Sequence, residues 1–146
     1  MPRTKLLPDI HAWPDVPARS RVSSAVRPVR SVLLVEDDRD NRESITDALR
    51  LNGFGVHPMA SVAEALRILD DPGCPALILL HLRSRELDGG ALLAALAIRP
   101  DRARFRVIVV SADPEANALR SRSPVVEVLR KPFGLEKLLA AVRRHV

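Results

Sequence analysis

The hydrophobic pattern between residues 31 and 146 alternates between two periods. Ser31–Val35, Phe54–Pro58, Ala76–Leu82, Arg106–Val110 and Pro124–Leu129 are short apolar runs of strand length. In the third, Ala76-Leu77-Ile78-Leu79-Leu80 is uninterrupted and bounded by Pro75, which predicts a strand buried on both faces. Between these runs the spacing becomes helical. Ile45, Ala48, Leu49 and Asn52 fall on one stripe, with Gly53 as a stop. Ser61-Val62-Ala63-Glu64 reads as a capping box for a helix with Val62, Ala65, Leu66 and Leu69 on one face, closed by Asp70-Asp71-Pro72-Gly73. Ala91–Ala97 is a third helix, rich in Ala and Leu and expected to be largely buried. Asp113-Pro114-Glu115 reads as an N-cap, a proline at N1 and an acidic first turn, opening a short, weakly amphipathic fourth helix. Leu135, Leu138, Leu139 and Val142 stripe the last helix.

Five strands alternating with five helices predict an α/β fold, a doubly wound parallel sheet with helices on both faces. For five such units the flavodoxin-like order 2-1-3-4-5 follows, with the first and third strands side by side at the centre. Open sheets of this kind place their chemistry beyond the carboxyl ends of the strands. Four strand ends then converge on one edge, carrying Glu36 and Asp37, His81, Ser111 and Lys131. Each has a plain structural alternative. Glu36-Asp37-Asp38 suits a helix N-terminus, a serine at a strand end bonds to backbone, and a lysine beside carboxylates compensates charge. Those alternatives explain the residues singly and leave their convergence unexplained.

Composition changes this picture at the N-terminus. Residues 1–30 hold five of the 12 prolines, and Arg3, Lys5, Arg19, Arg21, Arg27 and Arg30 against only Asp9 and Asp15. That segment is expected to be a disordered basic arm, with Trp13 as a stray apolar residue or a docking anchor. Residues 31–146, the single folded domain, are near neutral, so the net charge of +5 is largely a property of the arm and argues weakly for nucleic acid. Arg99, Arg102, Arg104 and Arg106 read as a solvated connector. The one cysteine, Cys74, precludes an internal disulfide and points to a reducing, cytoplasmic setting. Neither a membrane-spanning run nor a secretory h-region is found. No aromatic pair is present to sandwich a flavin, so a flavin binder would rest on fold analogy alone.

In these motifs the chain resembles the receiver domain of bacterial response regulators, the CheY-like superfamily. The resemblance covers about residues 30 to 146. It is carried by Val32-Leu33-Leu34-Val35-Glu36-Asp37-Asp38, by Leu77 to Gly89 with its Asp88-Gly89 loop, by Val107 to Ala112, and by Lys131-Pro132-Phe133. It implies a stand-alone module of two-component or phosphorelay signalling. An aspartate at the end of the third strand would accept a phosphoryl group from a sensor histidine kinase. Mg²⁺ would sit on the acidic pair Glu36 and Asp37, and Ser111 and Lys131 would contact the phosphoryl oxygens.

The phosphoacceptor position falls on His81, where the sequence departs from the family. An imidazole cannot form an acyl phosphate, and it removes a carboxylate from the Mg²⁺ site. Arg85 replaces a frequent proline, and Val128 a frequent aromatic. The expectation is a pseudo-receiver without enzymatic activity, with at most a weakened Mg²⁺ site. It would act through contacts with a sensor histidine kinase or another signalling protein, without direct DNA or membrane binding. The face formed by the fourth helix, fifth strand and fifth helix, residues 114–144, would be its interaction surface and a homodimer face. Two other roles for His81 stay open: a phosphorylated histidine, or a transition-metal ligand together with Glu36 and Asp37.

Overall fold

The computed structural model describes residues 30–82 and 89–146. In chain order these form β1 (Ser31–Val35), α1 (Arg39–Leu51), β2 (Gly55–Met59), α2 (Val62–Ile68), β3 (Leu77–Leu82), α3 (Gly89–Ala97), a 3₁₀ turn (Arg102–Arg104), β4 (Arg106–Ser111), a 3₁₀ helix (Pro114–Ser121), β5 (Val125–Arg130) and α4 (Leu135–His145). The five strands make one parallel sheet in the order β2-β1-β3-β4-β5, as the alternating pattern requires. The arm expected at residues 1–30, with Trp13, lies outside the described residues except for Arg30. So do Arg85 and Asp88. Arg30 starts the sheet, its carbonyl accepting from the Gly55 amide at 2.8 Å.

The core has two layers because the strands are buried on both faces. Leu33, Val35, Ile78, Leu80, Val107 and Val109 pack under α2 and α3 with Ala65, Leu92, Leu93 and Leu96. Their sequence neighbours Val32, Leu34, Leu77, Leu79, Ile108 and Val110 point the other way, onto Leu49 of α1 and Leu138, Leu139 and Val142 of α4. Successive strand residues thus serve opposite layers, and that is why the strands read as continuous apolar runs. Each fully buried Leu or Ile contributes about 1.5–3 kcal/mol.

Local signals act where the sequence places them. Gly53 takes φ +93, closing α1. Ser61 Oγ accepts from the Glu64 amide at 3.1 Å, while Glu64 Oε1 reaches back one residue further than a strict box, to the Ala60 amide at 2.9 Å. Asp113 caps the segment at Pro114, accepting from the Glu115 amide at 2.9 Å. Pro58 sits in β2, an edge strand, where its missing N–H costs least.

The fourth of the five expected helices is present at Pro114–Ser121 and is a 3₁₀ helix: its buried face amounts to Ala116, with Leu119 partly buried, too little apolar surface to hold a regular α-helix against the sheet. One expectation is corrected. Helix α3 is not largely buried. Leu92, Leu93 and Leu96 face the core while Ala91, Ala94 and Ala97 are exposed. Strand β3 ends at Leu82, where the predicted run Ala76–Leu82 ends, so His81 is its penultimate residue.

Candidate functional site

Strand register builds the site. Val35 of β1 lies beside Leu80 of β3, which brings the next residues, Glu36 and His81, together at the sheet edge. His81 is registered with Val110 and Leu82 with Ser111, while Ser111 pairs with Arg130 just before Lys131. The Lys131 amide donates to the Ser111 carbonyl at 2.9 Å, continuing the ladder past β5 and fixing the lysine's backbone above β4. The peptide bond from Lys131 to Pro132 is cis.

Glu36 is 1% exposed, a buried carboxylate held on every side. Its amide donates to the Met59 carbonyl at 3.0 Å, and its Oε2 accepts from the Asp38 amide at 2.9 Å. Arg42 Nη1 donates to the Glu36 carbonyl at 2.9 Å and to the Asp37 carbonyl at 3.4 Å. Arg42 thus pins the acidic loop from the first full turn of α1. It was not singled out in the sequence; the signal available was its place four residues after the cap. Asp38 is that cap, its Oδ2 accepting from the Asn41 amide at 2.8 Å. The helix-cap alternative therefore applies to Asp38, leaving Glu36 and Asp37 for the site.

The His81 side chain, 8% exposed, lies between an acid and a base. Its Nδ1 meets Glu36 Oε1 in an ion-pair contact that lacks the alignment of a hydrogen bond. Its Nε2 is 2.7 Å from Lys131 Nζ. An ammonium can only donate, so Nε2 is the acceptor and the proton of a neutral ring sits on Nδ1, toward Glu36. Asp37 completes the group: one ligand atom each from Glu36, Asp37 and His81 lie within 4.8 Å of one another.

Ser111 is 1% exposed, but its Oγ accepts from the Asp113 amide at 3.0 Å. The hydroxyl oxygen is therefore engaged by the turn that opens the 3₁₀ helix, as the structural alternative for a strand-end serine expects, while this contact leaves its O–H donor unused. Of the sequence-derived site residues, Glu36, Asp37, His81 and Lys131 come together, and Ser111 lies beside them. Val128 is buried in the layer under α2 and α3.

The connector arginines are occupied. Arg99 pairs with Asp70 and Asp101 at 2.9 and 2.8 Å, Arg102 donates to the Arg99 carbonyl at 3.1 Å, and Arg104 donates to the Cys74 carbonyl. Arg106 donates to the His145 carbonyl at 2.8 Å. These guanidinium groups brace the connector against the turn after α2, and β4 against the end of α4. No helix among the described residues is long and apolar enough to cross a membrane.

The response regulator receiver domain family matches residues 32–143. The C4-dicarboxylate transport transcriptional regulatory protein DctD of Rhizobium meliloti is 32% identical over 115 residues, covering 78% of this chain and 25% of that protein. The response regulator MprA of Mycobacterium sp. (strain KMS) is 31% identical over 116 residues, covering 80% of this chain and 50% of that protein. The match therefore spans a quarter to a half of these relatives. Among solved structures, a sensor protein from Polaromonas sp. JS666 superposes with a TM-score of 0.69 at 26% identity, over 80% of this chain and 95% of that one. The response regulator TrrA of Thermotoga maritima in complex with Mg(2+)-BeF shares the fold, with a TM-score of 0.67 at 20% identity over 81% of this chain and 100% of that one. With that match running from β1 into α4 and the strand order it requires, this chain belongs to the response regulator receiver domain family.

Proposed function

We propose that this receiver domain works as a pseudo-receiver: it takes part in two-component signalling by protein contact, without enzymatic activity and without phosphoryl transfer at position 81. The observation that carries the reading is the line Glu36–His81–Lys131, in which the imidazole engages both the buried acid and the lysine. Capture of a phosphoryl group as an acyl phosphate needs a carboxylate oxygen as nucleophile, and His81 has none. The lysine that would meet the phosphoryl oxygens is already committed, 2.7 Å from Nε2. Charge along this line is thus balanced internally, and the turns after β1 and β5 are tied together through β3 independently of a kinase.

The contact surface in this reading is the 3₁₀ helix 114–121 with β5 and α4. Its partner is a sensor histidine kinase, another signalling protein or a second copy of the chain. Val126, left over at the register shift between β4 and β5, is exposed there, as is Leu135. The engaged arginines at 99, 102, 104 and 106 support a role other than DNA contact.

The test is incubation of the full chain with radiolabelled acetyl phosphate and Mg²⁺, alongside His81→Asp and His81→Ala. The expected result is no label on the wild type or on His81→Ala, and label on His81→Asp. Stoichiometric, acid-labile label on the wild type that is absent from His81→Ala would overturn the reading and make the histidine itself the acceptor.

A further inference from the structure

Glu36, Asp37 and His81 form the one three-ligand group of this kind among the described residues. The Mg²⁺ that the fold family implies does not fit it. Mg²⁺ takes a full octahedron of oxygens, and the third position here is a nitrogen on a side chain 8% exposed. Imidazole nitrogen with carboxylate oxygen suits zinc and the other late first-row cations instead.

The contact between His81 and Glu36 carries the same message. In a hydrogen bond the acceptor lies on the axis of the ring N–H. Two ligands of one metal instead approach each other off that axis, because the metal occupies it. His81 Nδ1 is buried against Glu36 Oε1, yet it satisfies no hydrogen bond.

We propose that Glu36, Asp37 and His81 form a zinc site, with Nδ1 of His81 and one carboxylate oxygen from each acid as ligands and water completing the shell. Ligand atoms around tetrahedral zinc lie about 3.4 Å apart, given Zn–N and Zn–O distances of about 2.0–2.2 Å. The present spread, up to 4.8 Å, closes by a side-chain adjustment of Asp37, which is exposed, while the His81 Nδ1–Glu36 Oε1 contact, tighter than two ligands of one ion, opens to admit the metal. Two carboxylates and a neutral imidazole balance the charge of the cation.

Binding has a consequence for Lys131. Zinc takes the Nδ1 lone pair, so the ring proton moves from Nδ1 to Nε2 without net proton release. Nε2 can then no longer accept from the Lys131 ammonium, now 2.7 Å away, and the lysine must leave. Zinc would thus open the link between β3 and the turn after β5. The inference goes beyond the pseudo-receiver reading and does not depend on it: phosphoryl label on His81 would defeat that reading and leave the zinc titration unaffected.

The experiment is calorimetric titration of the full chain with zinc chloride, with and without excess Mg²⁺, for the wild type, His81→Ala, Asp37→Asn and Lys131→Met. Wild type should bind one zinc that Mg²⁺ does not displace. Affinity should fall by about tenfold or more in His81→Ala and Asp37→Asn, and rise in Lys131→Met. Asp37 is exposed, so its variant keeps the test readable if His81→Ala fails to fold. Long-range ¹⁵N spectra of the His81 ring should show the proton move from Nδ1 to Nε2 as zinc is added. Unchanged affinity in both ligand variants, or displacement by Mg²⁺, would overturn the proposal.

Discussion

Replacing His81 by aspartate should add a third carboxylate to this edge and make it need a cation, and the size of the effect follows from the geometry. The ligand atoms of Glu36, Asp37 and His81 lie within 4.8 Å of one another, and Glu36 is 1% exposed. A third carboxylate placed about 5 Å from each of the other two is repelled by about 3 kcal/mol per pair at an effective dielectric of about 20. Lys131, now 2.7 Å from the ring, stays close enough to return about 4 kcal/mol at the same dielectric. The net cost is about 2 kcal/mol. For a domain of this size that lowers the melting temperature by about 8 °C. The new carboxyl can escape part of the cost by taking up a proton. Its folded pKa is then raised above the unfolded value, so the His81→Asp loss is small at acid pH and grows as pH rises through the folded pKa. Mg²⁺ should reverse the loss, since a ligand at about a hundred times its Kd stabilises by about 2.7 kcal/mol. Thermal melts of both proteins in chelator and in Mg²⁺, at acid and neutral pH, give the measurement. A His81→Asp protein as stable as wild type in chelator, with no gain from Mg²⁺, would refute the idea that the imidazole spares this edge a third negative charge.

Two further predictions concern stability. Burial alone would raise the Glu127 carboxyl, but hydrogen bonds from Arg144 at 2.7 Å and His145 at 3.0 Å outweigh it, and its pKa is lowered. A lowered folded value means its contribution is present above the ordinary carboxylate range and lost as pH falls through the folded pKa. Glu127→Gln should therefore cost about 1 kcal/mol at neutral pH and little in acid, measured by urea unfolding at both. Asp38→Ala removes the cap on the Asn41 amide and should cost about 1 kcal/mol at neutral pH by the same assay, and a value near zero would show that the Arg42 contacts suffice to hold the acidic loop.

The sequence by itself determined the sheet. A parallel strand buried on both faces must be apolar at every position, so Leu77–Leu80 and Val107–Val110 announced themselves whatever their neighbours. It also determined the caps at Ser61 and Asp113 and the turn at Gly53, because those depend on atoms within a few residues of each other. Where the local signal was weak it placed the helix without its type: Pro114–Ser121 opens on the expected cap, but its apolar face is too small to hold more than a 3₁₀ helix. The site was legible as a set of residues and not as an arrangement. Tertiary structure decided that Glu36 is the buried acid against Nδ1, that Asp38 is spent on a cap, that Ser111 is turned to its own loop, and that Lys131 reaches Nε2. The reason is distance along the chain. Residues 36, 81 and 131 meet only through the register of three strands, and whether an imidazole there finds a carboxylate, an ammonium or both is set by packing that no local pattern encodes.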